Sequence, residues 1–320
     1  MNSNRRSFLK KNVLLGGGLL MANSLDALAG ITKTINTTQI NKTHINVIYT
    51  NDTLGNLDSV YDDFGGLPAV HHCIKNEEHA SLLFDAGGFL NSGADLISAL
   101  KGIEVMNKIN YHGVNLSAAD LKGGYEHFTQ LLPYINFQLL SCNYIFENEQ
   151  IRNAVKPYQV LNYGKYKIGV TGVGEMVNLE GLKIVDPQKA LKVVAEQLKN
   201  QHQCDLIICL SHLSFNVKSD YNNKKLAQSS QYVDMVIGGN AASSKSQLWV
   251  VKNTQKHDVV LSNNYDKGLS IAKVSFSFNQ IGEKTGLDFK RYVPGLTDRT
   301  LIAQTLSSIE NRNNKNTHLA

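Results

Sequence analysis

The sequence predicts an α/β fold built on mixed sheets. From residue 45 onward, short apolar segments alternate with segments of helical period, and most of the apolar segments end on polar loops. From Trp249 to Phe278 the pattern changes to longer alternating strands with no helix between them, which requires an antiparallel portion of sheet.

Taken in order, Ile45 to Tyr49 is the first strand, ending in the loop Thr50 to Asn56. Leu67 to Lys75 is helical, Leu82-Leu83-Phe84 is a strand ending in Asp85-Ala86-Gly87-Gly88, and a helix runs from about Ala94 to Ile109 with Leu96, Ile97, Leu100 and Ile103 on one face. Val114-Asn115-Leu116, a helix near Tyr125 to Leu132 and the strand Gln138-Leu139-Leu140 follow, then a hairpin over Val160 to Val170 that turns at Gly164-Lys165. Asp186 and Pro187 open the most strongly marked helix. Asp186 can cap its N–H groups, Pro187 suits its first position, and Leu191, Val194, Ala195 and Leu198 form one apolar face. Asp205 to Leu210 and Val233 to Ile237 are core strands, and Leu301 to Glu310 reads as a last helix before an Asn-rich tail, 311–320, of disordered composition. Gly65-Gly66 and Gly123-Gly124 mark turns and open no loop of the Walker or dinucleotide type.

The first 29 residues read as an export signal. Arg5, Arg6, Lys10 and Lys11 form a basic region, Val13 to Met21 an apolar run, and Ala27-Leu28-Ala29 a cleavage site of small residues. Asn4-Arg5-Arg6-Ser7-Phe8-Leu9-Lys10 resembles the twin-arginine signal of bacterial exported proteins, which implies handling by the twin-arginine translocase and a periplasmic or exported protein. The apolar run is interrupted at Gly16-Gly17-Gly18 and is too short for a stable membrane span, which takes about 18 residues or more. Cleavage after Ala29 removes four basic residues and one acidic, taking the formal charge from +5 to +2, so the basic bias is mostly an export address. Without Lys/Arg runs elsewhere, nucleic acid is not an expected partner. Residues 30–43 read as a linker and 44–310 as one domain. Cys73, Cys142, Cys204 and Cys209 read as free thiols; Cys204 and Cys209, five apart on one apolar strand, should point to opposite faces.

An open α/β sheet places its chemistry at the carboxyl ends of its strands. The loops there are Thr50-Asn51-Asp52-Thr53-Leu54-Gly55, Asp85-Ala86-Gly87-Gly88, Ser117-Ala118-Ala119-Asp120, Ser211-His212-Leu213 and Gly238-Gly239-Asn240-Ala241-Ala242-Ser243. In order and spacing they resemble the five metal-binding motifs of the calcineurin-like metallophosphoesterases, 5'-nucleotidase branch. Phe64-Gly65-Gly66-Leu67 and Ser141-Cys142-Asn143 extend the likeness, which spans residues 44 to about 295. It implies a metallophosphoesterase-like α/β/β/α sandwich. In that family, two divalent ions bridged by an Asp generate a hydroxide and clamp a phosphate, while a His protonates the leaving group.

Carried over residue by residue, the resemblance implies a depleted site. Asp52 matches the first Asp ligand and His212 the lone His. Leu54 stands at a His position, Gly88 at the bridging Asp, Ala118 at the Asn ligand, Ala119 at the catalytic His, and Asn240 and Ala242 at the two His of the last motif. One carboxylate and one imidazole are too few for a dimetal centre, since a divalent ion takes about four to six ligands. No cofactor is therefore expected, and a pseudoenzyme acting as a binding or assembly partner is the leading expectation. The alternative is a phosphoric ester hydrolase with one divalent ion (Mn²⁺, Zn²⁺ or similar) on Asp52, His212 and Asn240, with Asp85 or Asp120 as further candidates. Asp85 and Asp120 otherwise read as structural groups, Asp52 as an acceptor within its own turn and His212 as a satisfied histidine. The branch also carries a carboxy-terminal domain that is not recognised here, and a separate chain bearing one is the expected partner.

Overall fold

The computed structural model describes residues 31–35, 43–77, 81–91, 93–240 and 247–295, together with 304 and 307; the backbone alone is described for 31–35. The export signal, the 311–320 tail, Ala242 and all but two positions of the 301–310 helix lie outside the described residues.

The strands are β1 (Ile31–Ile35), β2 (His44–Thr50), β3 (Leu82–Asp85), β4 (Gly113–Asn115), β5 (Gln138–Leu140), β6 (Tyr144–Phe146), β7 (Val155–Lys156), β8 (Tyr158–Tyr163), β9 (Tyr166–Val173), β10 (Leu182–Ile184), β11 (Leu206–Ser211), β12 (Met235–Gly238), β13 (Leu248–Lys252), β14 (Asp258–Ser262), β15 (Ile271–Phe278) and β16 (Lys284–Tyr292). The helices are α1 (Leu67–Lys75), α2 (Leu96–Ile109), α3 (Tyr125–Leu131), α4 (Glu149–Ala154), α5 (Pro187–Asn200) and α6 (Asn223–Ser229).

One sheet runs β1-β8-β9-β11-β12-β14-β13 and the other β16-β15-β2-β3-β4-β5-β7, while β10 and β6 form a small antiparallel pair. Both large sheets are mixed. In the first, β9, β11, β12 and β14 are parallel and β13 returns antiparallel. In the second, β2 to β5 and β7 are parallel, with β15 and β16 antiparallel beyond β2.

Three apolar clusters define the layers. Ile45, Val47, Tyr49 and Phe84 of the second sheet meet Ile168, Val170, Ile208 and Leu210 of the first between the sheets. Ile48, Leu83, Val114 and Leu139, on the other face of the second sheet, pack with Ile103 and Met106 of α2 and Phe128 of α3. Val236 and Cys209 of the first sheet pack with Leu191, Val194 and Leu198 of α5 and Leu226 of α6. The architecture is the α/β/β/α sandwich that the resemblance implied. Strands covered on both faces need apolar residues at consecutive positions, and Leu206–Ser211 is buried throughout. Where β9 crosses β4 and β5 the sheets come so close that a Cβ on Gly172 would run into Asn115 and the Leu140 carbonyl.

The structure corrects several expectations. The 30–43 linker contains β1, an edge strand parallel to β8. The antiparallel region is divided: β13 and β14 lie in the first sheet, β15 in the second. Helix α2 begins at Leu96, behind an Asp95 cap that accepts the Ser98 N–H, and buries Ala99, Ile103, Met106 and Ile109, whereas Ile97 is 66% exposed. Cys204 precedes β11, so strand alternation does not govern it, and it joins Cys209 in the cluster under α5. All four cysteines are free, with Cys73 only half-buried.

Candidate functional site

The parallel strands of both sheets end at the same side of the sandwich. Thr50 at the end of β2 stands beside Asp85 at the end of β3, and Ser211 at the end of β11 stands between Val173 of β9 and Gly238 of β12. Asp52 and Gly88 therefore approach from the second sheet, and His212 from the first.

Asp52 and His212 meet directly. His212 Nε2 lies 2.8 Å from Asp52 Oδ1, and its Nδ1 lies 2.5 Å from Glu175 Oε1. The His212 side chain is 4% exposed. A neutral imidazole carries one N–H and can donate to only one of two carboxylates; an imidazolium donates to both. Burial alone would draw the His212 pKa down, but the Glu175 charge and the hydrogen bonds to Asp52 and Glu175 raise it well above its ordinary value. Burial would likewise push the Glu175 carboxyl up, and the His212 charge, its hydrogen bond and the Ala118 N–H hold it below the usual range. Asp52, His212 and Glu175 thus form a bridge between the sheets, in a geometry that suits an imidazolium donating to a carboxylate on either side.

Glu175 was missed by sequence reasoning. It stands two residues past the end of β9, a strand-end carboxylate like Asp52, but its loop belongs to none of the five motifs. Its Oε2 accepts the Ala118 N–H at 3.0 Å, and the Tyr144 hydroxyl lies 2.9 Å from its carbonyl oxygen and 3.1 Å from Oε2.

The loops around the bridge are held from behind. Asp52 N and Leu54 N donate to the carbonyls of Gly87 and Gly88, and Lys267 N donates to the Asp52 carbonyl. Asp52 and Leu54 adopt left-handed backbone (φ 50° and 52°), as does Gly88 (φ 69°). Asp120, fully buried, accepts the N–H groups of Gly88, Leu90 and Ser117 and the Ser117 hydroxyl. Asp85 accepts the Gly87 N–H and the Thr50 hydroxyl, and burial raises its pKa to about 7. Both acids fasten loop backbone. The Asp52 carboxylate, expected to accept within its own turn, instead accepts from the His212 ring and the Asn51 amide.

Among the described residues, the other motif positions add no side-chain donor to the bridge, and Ala118 contributes only its backbone N–H. Ala118 is buried, Leu54 and Ala119 are half-buried, and Asn240 is exposed with a left-handed backbone, φ 54°. The fit to a divalent ion can be tested on Gly88. A Cβ there would sit 2.8 Å from both Asp52 Oδ1 and His212 Nε2, so the space of a bridging side chain is closed by the ion pair itself. The donor set does not fit a metal centre: its imidazole and one carboxylate spend their facing atoms on each other, and among the described residues no group of three or more His, Cys, Asp or Glu is disposed to hold an ion.

This fold, with paired loop ends at one side of two facing sheets, is that of the calcineurin-like metallophosphoesterases. Within that class, the chain resembles the amino-terminal metallophosphatase domain of 5'-nucleotidases. It is 25% identical over 259 residues to a 5'-nucleotidase of Vibrio cholerae, covering 72% of this chain and 46% of the relative. It is 23% identical over 308 residues to Protein UshA of Salmonella pullorum, covering 85% and 54%. The chain thus spans about half the length of the curated relatives it matches. Among solved structures, it superposes on a 5'-nucleotidase precursor from Thermus thermophilus with a TM-score of 0.68 at 19% identity, covering 84% of this chain and 58% of that one. A calcineurin-like phosphoesterase, YfkN, from Bacillus subtilis gives 0.61 at 17% identity, covering 86% and 98%. No protein-family model matches the chain.

Proposed function

We propose that this chain is an exported pseudoenzyme of the 5'-nucleotidase metallophosphatase fold, which has no dimetal centre and acts as a binding or assembly partner. The direct His212–Asp52 pair across Gly88 carries this reading, because the atoms that would face an ion face each other. The twin-arginine pattern at Asn4 to Lys10 supports export to the periplasm, and among the described residues no helix is long and apolar enough to cross a membrane. The proposed partner is a separate chain carrying the remaining half of a 5'-nucleotidase.

The test is the metal content of the purified protein, together with turnover of a phosphate monoester in added Mn²⁺. Substoichiometric metal and no turnover support the proposal. Stoichiometric metal with turnover that disappears in both Asp52→Ala and His212→Ala overturns it in favour of a single-ion hydrolase.

A further inference from the structure

Three donors converge on the Glu175 carboxylate. His212 Nδ1 lies 2.5 Å from Oε1, the Ala118 N–H donates to Oε2 at 3.0 Å, and the Tyr144 hydroxyl lies 3.1 Å from Oε2, shared with the Glu175 carbonyl. A ring nitrogen, a backbone N–H and a hydroxyl, all buried, are the groups that recognise a small oxyanion. The donors belong to the scaffold: Ala118 follows β4, Tyr144 opens β6 and His212 follows β11. The acceptor belongs to the connection between β9 and β10, where the next two side chains, Met176 and Val177, are 44% and 41% exposed. Asp52 holds the far side of the imidazole, so an anion entering in place of the Glu175 carboxylate meets the same donors without adding to the charge of the centre.

We propose that the emptied centre is a binding site for a small oxyanion, a carboxylate or inorganic phosphate, which the chain keeps filled with its own Glu175 side chain. A ligand gains entry when the 174–181 connection swings the carboxylate out and leaves the three donors in place. The inference rests on the reading that no metal occupies the centre.

The experiment uses the full chain, treated with EDTA, as wild type, Glu175→Ala and Glu175→Gln. Inorganic phosphate and acetate are titrated by calorimetry, thermal midpoints are compared with chloride at equal ionic strength, and the metal content of the wild type is measured on protein purified without chelator, before the EDTA step. Glu175→Ala is expected to bind phosphate about tenfold or more tightly than wild type, since charge-assisted hydrogen bonds become available to the ligand. Phosphate or acetate should raise its midpoint, while wild type and Glu175→Gln, whose amide still fills the space, should not respond. A folded Glu175→Ala that responds no more than wild type overturns the inference, as does an equal response in Glu175→Gln. Should Glu175→Ala fail to fold in chloride, folding restored by phosphate supports the inference and its failure to fold in phosphate overturns it. Stoichiometric metal in the wild type overturns the reading of the centre beneath it, whereas metal-free protein with an unresponsive Glu175→Ala overturns the oxyanion site alone.

Discussion

At the scale of single residues, the centre is governed by what faces His212. Removing the imidazole leaves Asp52 and Glu175 with no cation between them, and a buried charge stripped of its partner costs about 3–5 kcal/mol. His212→Ala should therefore lower stability by about that amount, read as a shift in the urea midpoint at unchanged slope; a change below about 1 kcal/mol would show that the bridge does not hold the loops. Gly88 tests the same geometry from the opposite side. Gly88→Asp restores the bridging carboxylate of the metallophosphoesterases, but at φ 69° and with its Cβ 2.8 Å from both partners of the ion pair. It should destabilise the protein by about 1–3 kcal/mol, in line with overpacking a filled site, and should give no Mn²⁺-dependent phosphatase activity. The positions Asp52, Gly88, Ala118 and His212 were legible in the sequence because motif spacing fixes where each strand-end loop lies. Their bonding was not. That Asp52 turns to His212 depends on two strands 160 residues apart ending face to face, and Glu175 carried no motif to mark it.

Among the elements, α5 was fully legible because its signals agree. Asp186 accepts the N–H groups of Gln188 and Lys189, Pro187 occupies the first turn, and Leu191, Val194, Ala195 and Leu198 are buried. Asp186 also accepts a hydrogen bond from the Tyr221 hydroxyl, tying the helix start to the loop before α6. Asp186→Ala should cost about 1–2 kcal/mol in urea unfolding, the upper part of the range for a lost cap, and a cost near zero would mean that packing alone sets the helix start. Helix α2 was misread at Ile97 because its true seam includes Ala99 and Gly102, small residues that add little to an apolar pattern. Gly102 is there because α2 passes against Gly55 of the site loop, where a Cβ would lie 3.0 Å from the Gly55 Cα. The three-residue strands β6 and β10 and the short helices α4 and α6 were not legible, since segments this short define no period by themselves, whereas α3 and β5, of similar length, are marked by Gly123-Gly124 before the one and Ser141-Cys142-Asn143 after the other.

For the whole molecule, the buried ionisable groups set how stability varies with pH. Glu175 and Glu77 have folded pKa values below their ordinary range, so their contribution is present above about pH 4.5 and is lost as pH falls through the folded values. His212 works in the other direction: its folded value is raised, so its contribution is complete below about pH 6.5 and is lost as pH rises from there through the raised folded value. Asp85, raised to about 7, adds to the second trend, because between about pH 4 and pH 7 the folded state holds a proton that the unfolded state has released. Ionising Asp85 places a charge within the enclosed Thr50–Tyr111 network, near Asp52 and Asp120, with no cation bonded to it among the described residues. Together these groups place the stability maximum on the acid side of neutrality, between about pH 4.5 and pH 6.5, with a decline towards pH 9. Asp85→Asn isolates one share of that decline. The amide preserves the shape and can still accept the Gly87 N–H, but it does not titrate, so the variant should lose less stability than wild type between about pH 5 and pH 7 and run parallel to it above about pH 8. Urea midpoints across that range decide the matter: equal slopes for the two proteins between pH 5 and pH 7 would show that Asp85 is already ionised in the folded state, and that the loop after β3 is held by a charge rather than by a neutral acid.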